Sequence, residues 1–135
     1  MTSSKSQLLF LCDFETSGLD PQSGAKPIEL AGLFLDRDFQ VVDRFETLIN
    51  WGYERWMTEE QIASYNVHKI EAESLLTAPS ADDVTFVLKE KILRLKNEHQ
   101  VDRVIIMSDN AQFEYRFMEF LFRFTQRKFP FHYCA

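Results

Sequence analysis

Phe10-Leu11-Cys12-Asp13-Phe14-Glu15-Thr16-Ser17-Gly18-Leu19-Asp20 decides how the rest of this chain is read. It is an apolar run that ends in Asp-x-Glu and passes at once into a small polar turn with a glycine. Side chains alternate along a strand, so Asp13 and Glu15 point to the same face. Carboxylates at the end of a buried strand are costly unless something compensates them. Hard divalent cations such as Mg²⁺ are the usual compensation, because they prefer oxygen ligands. Two readings stand on these residues alone: a strand end with two solvated acids, and one side of a metal site.

The whole chain has 135 residues, enough for one domain (1–135) with a true core. It is 45% hydrophobic and holds 13 phenylalanines, which excludes a disordered polymer. No run approaches the roughly 20 apolar residues of a membrane helix, so no membrane partner is expected. Met1 to Ser6 reads as a short polar tail with no secretory segment behind it. Cys12 and Cys134 lack the clustered spacing of a zinc site. Buried, reduced thiols in a cytoplasmic protein are the simplest expectation. The net charge of −6 argues against broad electrostatic capture of nucleic acid. It does not exclude a nuclease, because a metal-dependent site is itself acidic.

Working outward, Gln7 to Cys12 reads as a buried first strand, and Asp20 to Lys26 as a loop. Ile28 to Leu35 and Val41 to Ile49 are strands joined through Asp36-Arg37-Asp38, a hairpin. Met57 to Leu76 holds one or two short helices. Ser80 caps the next helix, with Asp83 three residues on, and Val84, Leu88, Ile92 and Leu95 form its apolar face. Val104 to Met107 is a buried strand, and a helix follows from Asn110 or Ala111 to about Arg127. Phe129 to Ala135 is a fifth apolar stretch. The order predicts an α/β mixed sheet, with three antiparallel strands and a fourth reached by a helical crossover.

Asp13-Phe-Glu15-Thr16-Ser-Gly-Leu19-Asp resembles the first motif of the DEDD, or DnaQ-like, 3′→5′ exonuclease superfamily, which includes ribonuclease T, oligoribonuclease and proofreading exonucleases. Lys26 to Leu33 is similar to that superfamily's second strand. Tyr65-Asn66-Val67-His68-Lys69-Ile70 looks like its apolar-His-Gly-Ile turn. Arg103 to Glu114 looks like its second motif. The resemblance implies a ribonuclease-H-like sheet flanked by helices and a two-metal hydrolysis of a terminal phosphodiester. It implies Mg²⁺ or Mn²⁺ as cofactor and the 3′ end of single-stranded RNA or DNA as partner. By the same resemblance Asp13, Glu15 and Glu114 are catalytic metal ligands, and Thr16, Leu19, His68 and Asn110 contact substrate.

The likeness also shows departures. The second motif reads His-Asn-Ala-x-Phe-Asp in the superfamily and Asp109-Asn110-Ala111-Gln112-Phe113-Glu114 here. One extra methylene displaces the carboxylate by roughly 1 Å, a shift that can cost about 10²-fold in rate. Asp109 is expected to cap the helix that starts here. Phe113, Phe117, Phe120 and Phe124 share a helical face that Glu114 borders, while Arg116, Arg123 and Arg127 form a separate stripe. That stripe reads first as a solvated face and second as a nucleic-acid track. The superfamily's third motif, His-x(3–4)-Asp, has no counterpart: His132 comes too early for the general base, and no Asp follows it.

Three explanations follow: a fragment of a longer exonuclease that lacks the C-terminal helices, a shortened relative, or a site completed by a partner chain. Self-association as a homo-oligomer is expected from an uncovered edge. Two functions remain open, an exonuclease and a binding module that keeps the fold without cutting.

Overall fold

The computed structural model describes residues 7–51, 70 and 72–132. Four strands form one sheet: β1 (Gln7–Thr16), β2 (Pro27–Leu35), β3 (Val41–Leu48) and β4 (Arg103–Met107). Their order is β3-β2-β1-β4. β1–β2 and β2–β3 are antiparallel, and β1–β4 is parallel. Three α-helices are described, α1 (Ala72–Leu76), α2 (Ala81–His99) and α3 (Ala111–Phe124), with a 3-10 turn at Pro21–Ser23. This is the mixed sheet that the sequence predicts. Of the expected fifth stretch, His132 forms a single parallel bridge with Ile105 on the far side of β4, its N–H donating to the Val104 carbonyl at 2.9 Å.

Alternation along β1 sorts its two faces. Leu8, Phe10, Cys12 and Phe14 are buried, while Leu11 and Asp13 are exposed. The buried row meets Val84, Leu88, Ile92 and Leu95 of α2 and Phe117, Met118, Leu121 and Phe122 of α3 in one core. Phe10 stacks on Phe34 at 4.4 Å between ring centres and on Phe131 at 5.7 Å. Stacked rings of this kind contribute roughly 0.5–1.5 kcal/mol beyond their buried area. Across the sheet, Asp43 on β3 is gripped by Lys91 (2.9 Å) and Arg94 (3.1 Å) from α2, which ties the helix to the outer strand.

The turns are set by local chemistry. The β2–β3 hairpin closes on Asp36, whose Oδ1 accepts from the Asp38 and Gln40 N–H groups at 2.9 Å each. Ser80 caps α2 as expected, its Oγ accepting from the Asp83 N–H at 3.1 Å. α3 stops at Phe124, three residues short of the expected end. Thr125 folds its hydroxyl back to the Leu121 carbonyl at 3.0 Å, and Gln126 takes a left-handed backbone (φ 59°). A left-handed residue cannot continue a right-handed helix.

Candidate active site

β1 runs past its partner. The parallel ladder ends at Leu11 opposite Met107, whereas β1 continues to Thr16. Asp13 and Glu15 therefore lie within a strand rather than after one, and β1 extends further than the Gln7–Cys12 expected from the apolar run. The chain leaves β4 through Ser108-Asp109-Asn110 and enters α3, which brings Glu114 back beside β1. A groove of about 640 Å³ opens there, lined among others by Asp13, Glu46, Ser108, Asp109, Asn110 and Glu114.

The three proposed acids differ in setting. Asp13 is exposed and Glu15 half-buried, because both point to the sheet face opposite the helix-covered core. Glu114 is the costly one, only 2% exposed. Its Oε1 accepts from the Phe14 N–H at 2.9 Å, across 100 residues of chain. Its Oε2 is buried with no hydrogen-bond partner. Burial pushes the Glu114 carboxyl up to about 7, against the Phe14 N–H, which lowers it; the charge of Asp13, a side-chain hydrogen bond with Asp13 and then the charge of Glu15 raise it further. Glu15 is also raised, by burial first and then by Asp13 and Glu29. Burial, aided by Glu114 and Asp13, holds the Cys12 thiol far above its usual range, so it stays protonated and unreactive.

The other expected residues are placed as follows. The Thr16 hydroxyl donates to the Gly18 carbonyl at 2.6 Å and shapes the turn. Ser17, fully buried, pairs with Lys26 through both backbone and hydroxyl, closing the loop base. Leu19 is 75% exposed, not packed on the core. Arg116 reaches its carbonyl at 3.4 Å. Asn110, expected at the substrate, is the N-cap of α3: its Oδ1 accepts from the Phe113 N–H at 3.4 Å. This corrects the expectation that Asp109 caps the helix. The helix starts at Ala111, one residue too late for Asp109, which instead lines the groove. Tyr65 to Lys69, including His68, lie outside the described residues.

Two further expectations are revised. The Phe stripe of α3 is split: Phe117 is buried, but Phe124 is 52% exposed and stacks on Trp51 at 4.9 Å. The buried stripe runs instead through Glu114, Phe117, Met118, Leu121 and Phe122. The arginine stripe is engaged with the protein: Arg123 with Glu119 (3.5 Å), Arg127 with Asp82 (3.0 Å), and Arg116 with Leu19. That favours the solvated-face reading.

Sequence reading missed Glu29 and Glu46. Glu29 sits opposite Glu15 in the β1–β2 register, and Glu46 opposite Ala31, which pairs with Asp13. Strand alternation places all four acids on one face, a signal that needs the register to be read. A register shift between Glu15 and Thr16 ends the regular pairing at this point. Among the described residues, no three His, Cys, Asp or Glu side chains gather closely enough to hold a metal ion. The fit to a hard cation rests on Glu114, whose Oε2 lies buried and unpaired while the Asp13 charge raises its carboxyl.

Comparison with known proteins gives a consistent picture. The family model RNase_T, described as exonuclease, matches residues 10–129. Among solved structures, exonuclease I without ligand superposes with a TM-score of 0.71 at 13% identity, covering 91% of this chain and 26% of its own. Escherichia coli exonuclease I in complex with a dT13 oligonucleotide gives 0.69 at 12%, over 94% of this chain and 27% of its own. A 3′-exonuclease in a structure of 3′-end-specific recognition of histone mRNA stem-loop gives 0.68 at 14%, over 90% and 42%. At such identities the likeness shows the fold. The chain spans between about a quarter and two-fifths of these proteins. No curated protein sequence matches it.

Proposed function

Because the chain belongs to the RNase T family of exonucleases, we propose that it removes nucleotides from the 3′ end of single-stranded nucleic acid, with Asp13, Glu15 and Glu114 as ligands of Mg²⁺ or Mn²⁺. The observation that carries this reading is the unpartnered Glu114 Oε2, buried at the carboxyl end of β1, where the charges of Asp13 and Glu15 reach it. An isolated buried carboxylate oxygen is costly without a counter-charge. A hard cation supplies that charge, and when bound it polarises the phosphoryl oxygen and makes water a better nucleophile.

The chain's own residues do the rest. Asp13 lines the groove, and Glu15 lies two residues on along the same face of β1. Leu19, exposed on the turn beyond β1, offers an apolar edge to the terminal base, and the Thr16 hydroxyl holds that turn in place. Asp109 and Glu46 keep the groove acidic, which disfavours a bare phosphate and makes substrate entry depend on the cation.

A second reading is a module that keeps the fold without cutting. It is supported by the absence of a three-donor cluster among the described residues. Among the described residues no histidine lines the groove.

The test is digestion of 5′-labelled single-stranded RNA and DNA with Mn²⁺, beside Asp13→Ala. A 3′-shortening ladder lost in the variant supports the exonuclease. Absence of a ladder, with Mn²⁺ binding still seen by calorimetry and lost in Asp13→Ala, supports the module.

A further inference from the structure

Among the described residues, β1 has no strand on its β4 side beyond Leu11. The Phe14 N–H faces that side inside a buried setting, and an unpaired buried amide would cost roughly 1–3 kcal/mol. Glu114 Oε1 accepts it at 2.9 Å. Phe14 lies between Asp13 and Glu15, so this one bond fixes the strand segment that carries both carboxylates. The bond reaches from the first turn of α3, whose start is set by the Asn110 cap.

We infer that Glu114 is a positioning residue: its carboxylate clamps the β1 backbone at Phe14 and thereby sets the placement of Asp13 and Glu15. The extra methylene relative to the aspartate of the resembled motif is then a requirement of this chain. A carboxylate drawn back by one methylene, roughly 1 Å, leaves the Phe14 N–H beyond hydrogen-bond distance unless α3 moves. α3 is held by Phe117, Met118, Leu121 and Phe122, all buried in the core, so it does not move freely. The clamp stands on geometry alone. Its consequence for cation binding rests on the function proposed above.

The experiment compares the parent chain with Glu114→Gln and Glu114→Asp, using amide hydrogen exchange at Phe14 and Mn²⁺ titration by calorimetry. Glutamine keeps an acceptor oxygen at the same reach; aspartate keeps the charge but not the reach. Phe14 exchange is expected to stay within about threefold of the parent in Glu114→Gln and to accelerate about tenfold or more in Glu114→Asp, with the Leu88 and Ile92 amides unchanged in both. Mn²⁺ affinity is expected to fall about tenfold in Glu114→Asp despite the retained charge, but because Glu114 is itself a proposed ligand, Phe14 exchange and not the Mn²⁺ titration decides the clamp.

Equal Phe14 exchange in Glu114→Asp and the parent would overturn the clamp. So would equal acceleration in both variants. If Glu114→Asp fails to fold while Glu114→Gln folds, the requirement for reach is supported; if neither folds, the acceptor was not what held β1, and the inference fails. A parent that binds no Mn²⁺ but shows the expected exchange pattern removes the proposed metal chemistry and leaves the clamp standing.

Discussion

Glu15 and Glu29 stand directly opposite each other across β1 and β2, two carboxylates on one face of the sheet. Glu29, like Glu15, is held above its usual carboxylate range, by burial first and then by Glu46 and Asp13. Like charges directly opposite in an antiparallel pair destabilise it. Glu29→Gln is therefore expected to raise stability by about 0.2–1 kcal/mol at pH 7. At pH 3, where both groups are neutral, the gain should vanish. Urea denaturation at the two pH values checks this; equal gains at both would mean the charge pair is not the cause.

The pH dependence follows from the same sign. Glu15, Glu29 and Glu114 all have folded values above their unfolded ones. Their favourable contribution is complete below about pH 4.5 and is lost as pH rises through the folded values, for Glu114 through about 7. Asp43 acts oppositely: burial works against its charge, but bonds from Lys91, the Arg44 N–H and Arg94 outweigh it and hold it low. Its contribution disappears as pH falls below the usual aspartate range. Without divalent cations, stability should thus peak near pH 4–5 and decline toward pH 8, and Glu114→Gln should flatten the decline.

Divalent cations should reverse that decline if the proposed site binds them. A ligand at about 100 times its dissociation constant stabilises the folded state by about 2.7 kcal/mol. Mn²⁺ should therefore raise the melting temperature at pH 7.5 by several degrees, less at pH 5, and not in Asp13→Asn. A rise that survives in Asp13→Asn would place the cation elsewhere.

Gly32 makes room for the core. A β-carbon at this position would stand 2.6 Å from Phe10 Cζ, and Phe10 is fully buried between Phe34 and Phe131. The ring has little space into which to turn. Gly32→Ala is expected to cost about 1–3 kcal/mol by overpacking. Thermal unfolding reads this, and a neutral result would show that the Phe10 stack yields easily.

Much of the fold was legible because local periodicity and strand order carry it. Alternation in Ile28 to Leu35, the Ser80 cap and the Val84–Leu95 stripe all describe interactions within a few residues of each other. Most residues misread have distant partners; the cap of α3 is the local exception. Asp109 and Asn110 are both good caps, and only the start of α3 at Ala111 chooses between them. The Phe stripe looked uniform, but Trp51 draws Phe120 and Phe124 away from the core. Asp13 and Glu15 stand out in the sequence through the motif they resemble, whereas Glu29 joins their face only once β1 is paired with β2. The bond from Glu114 to Phe14 joins residues 100 apart and leaves no local trace in the sequence.

The early end of β4 has a consequence for how this region can change. A ladder extended by two or three residues would satisfy the Phe14 amide from a neighbouring carbonyl and release Glu114 from its tie to the backbone. Strand length and acid length are thus exchangeable parts of one joint. An insertion in Ser108–Asn110 and a shortening of the side chain at 114 would each be damaging alone and tolerated together. Among the described residues, the early end of β4 is what gives the acid at 114 its place in this joint.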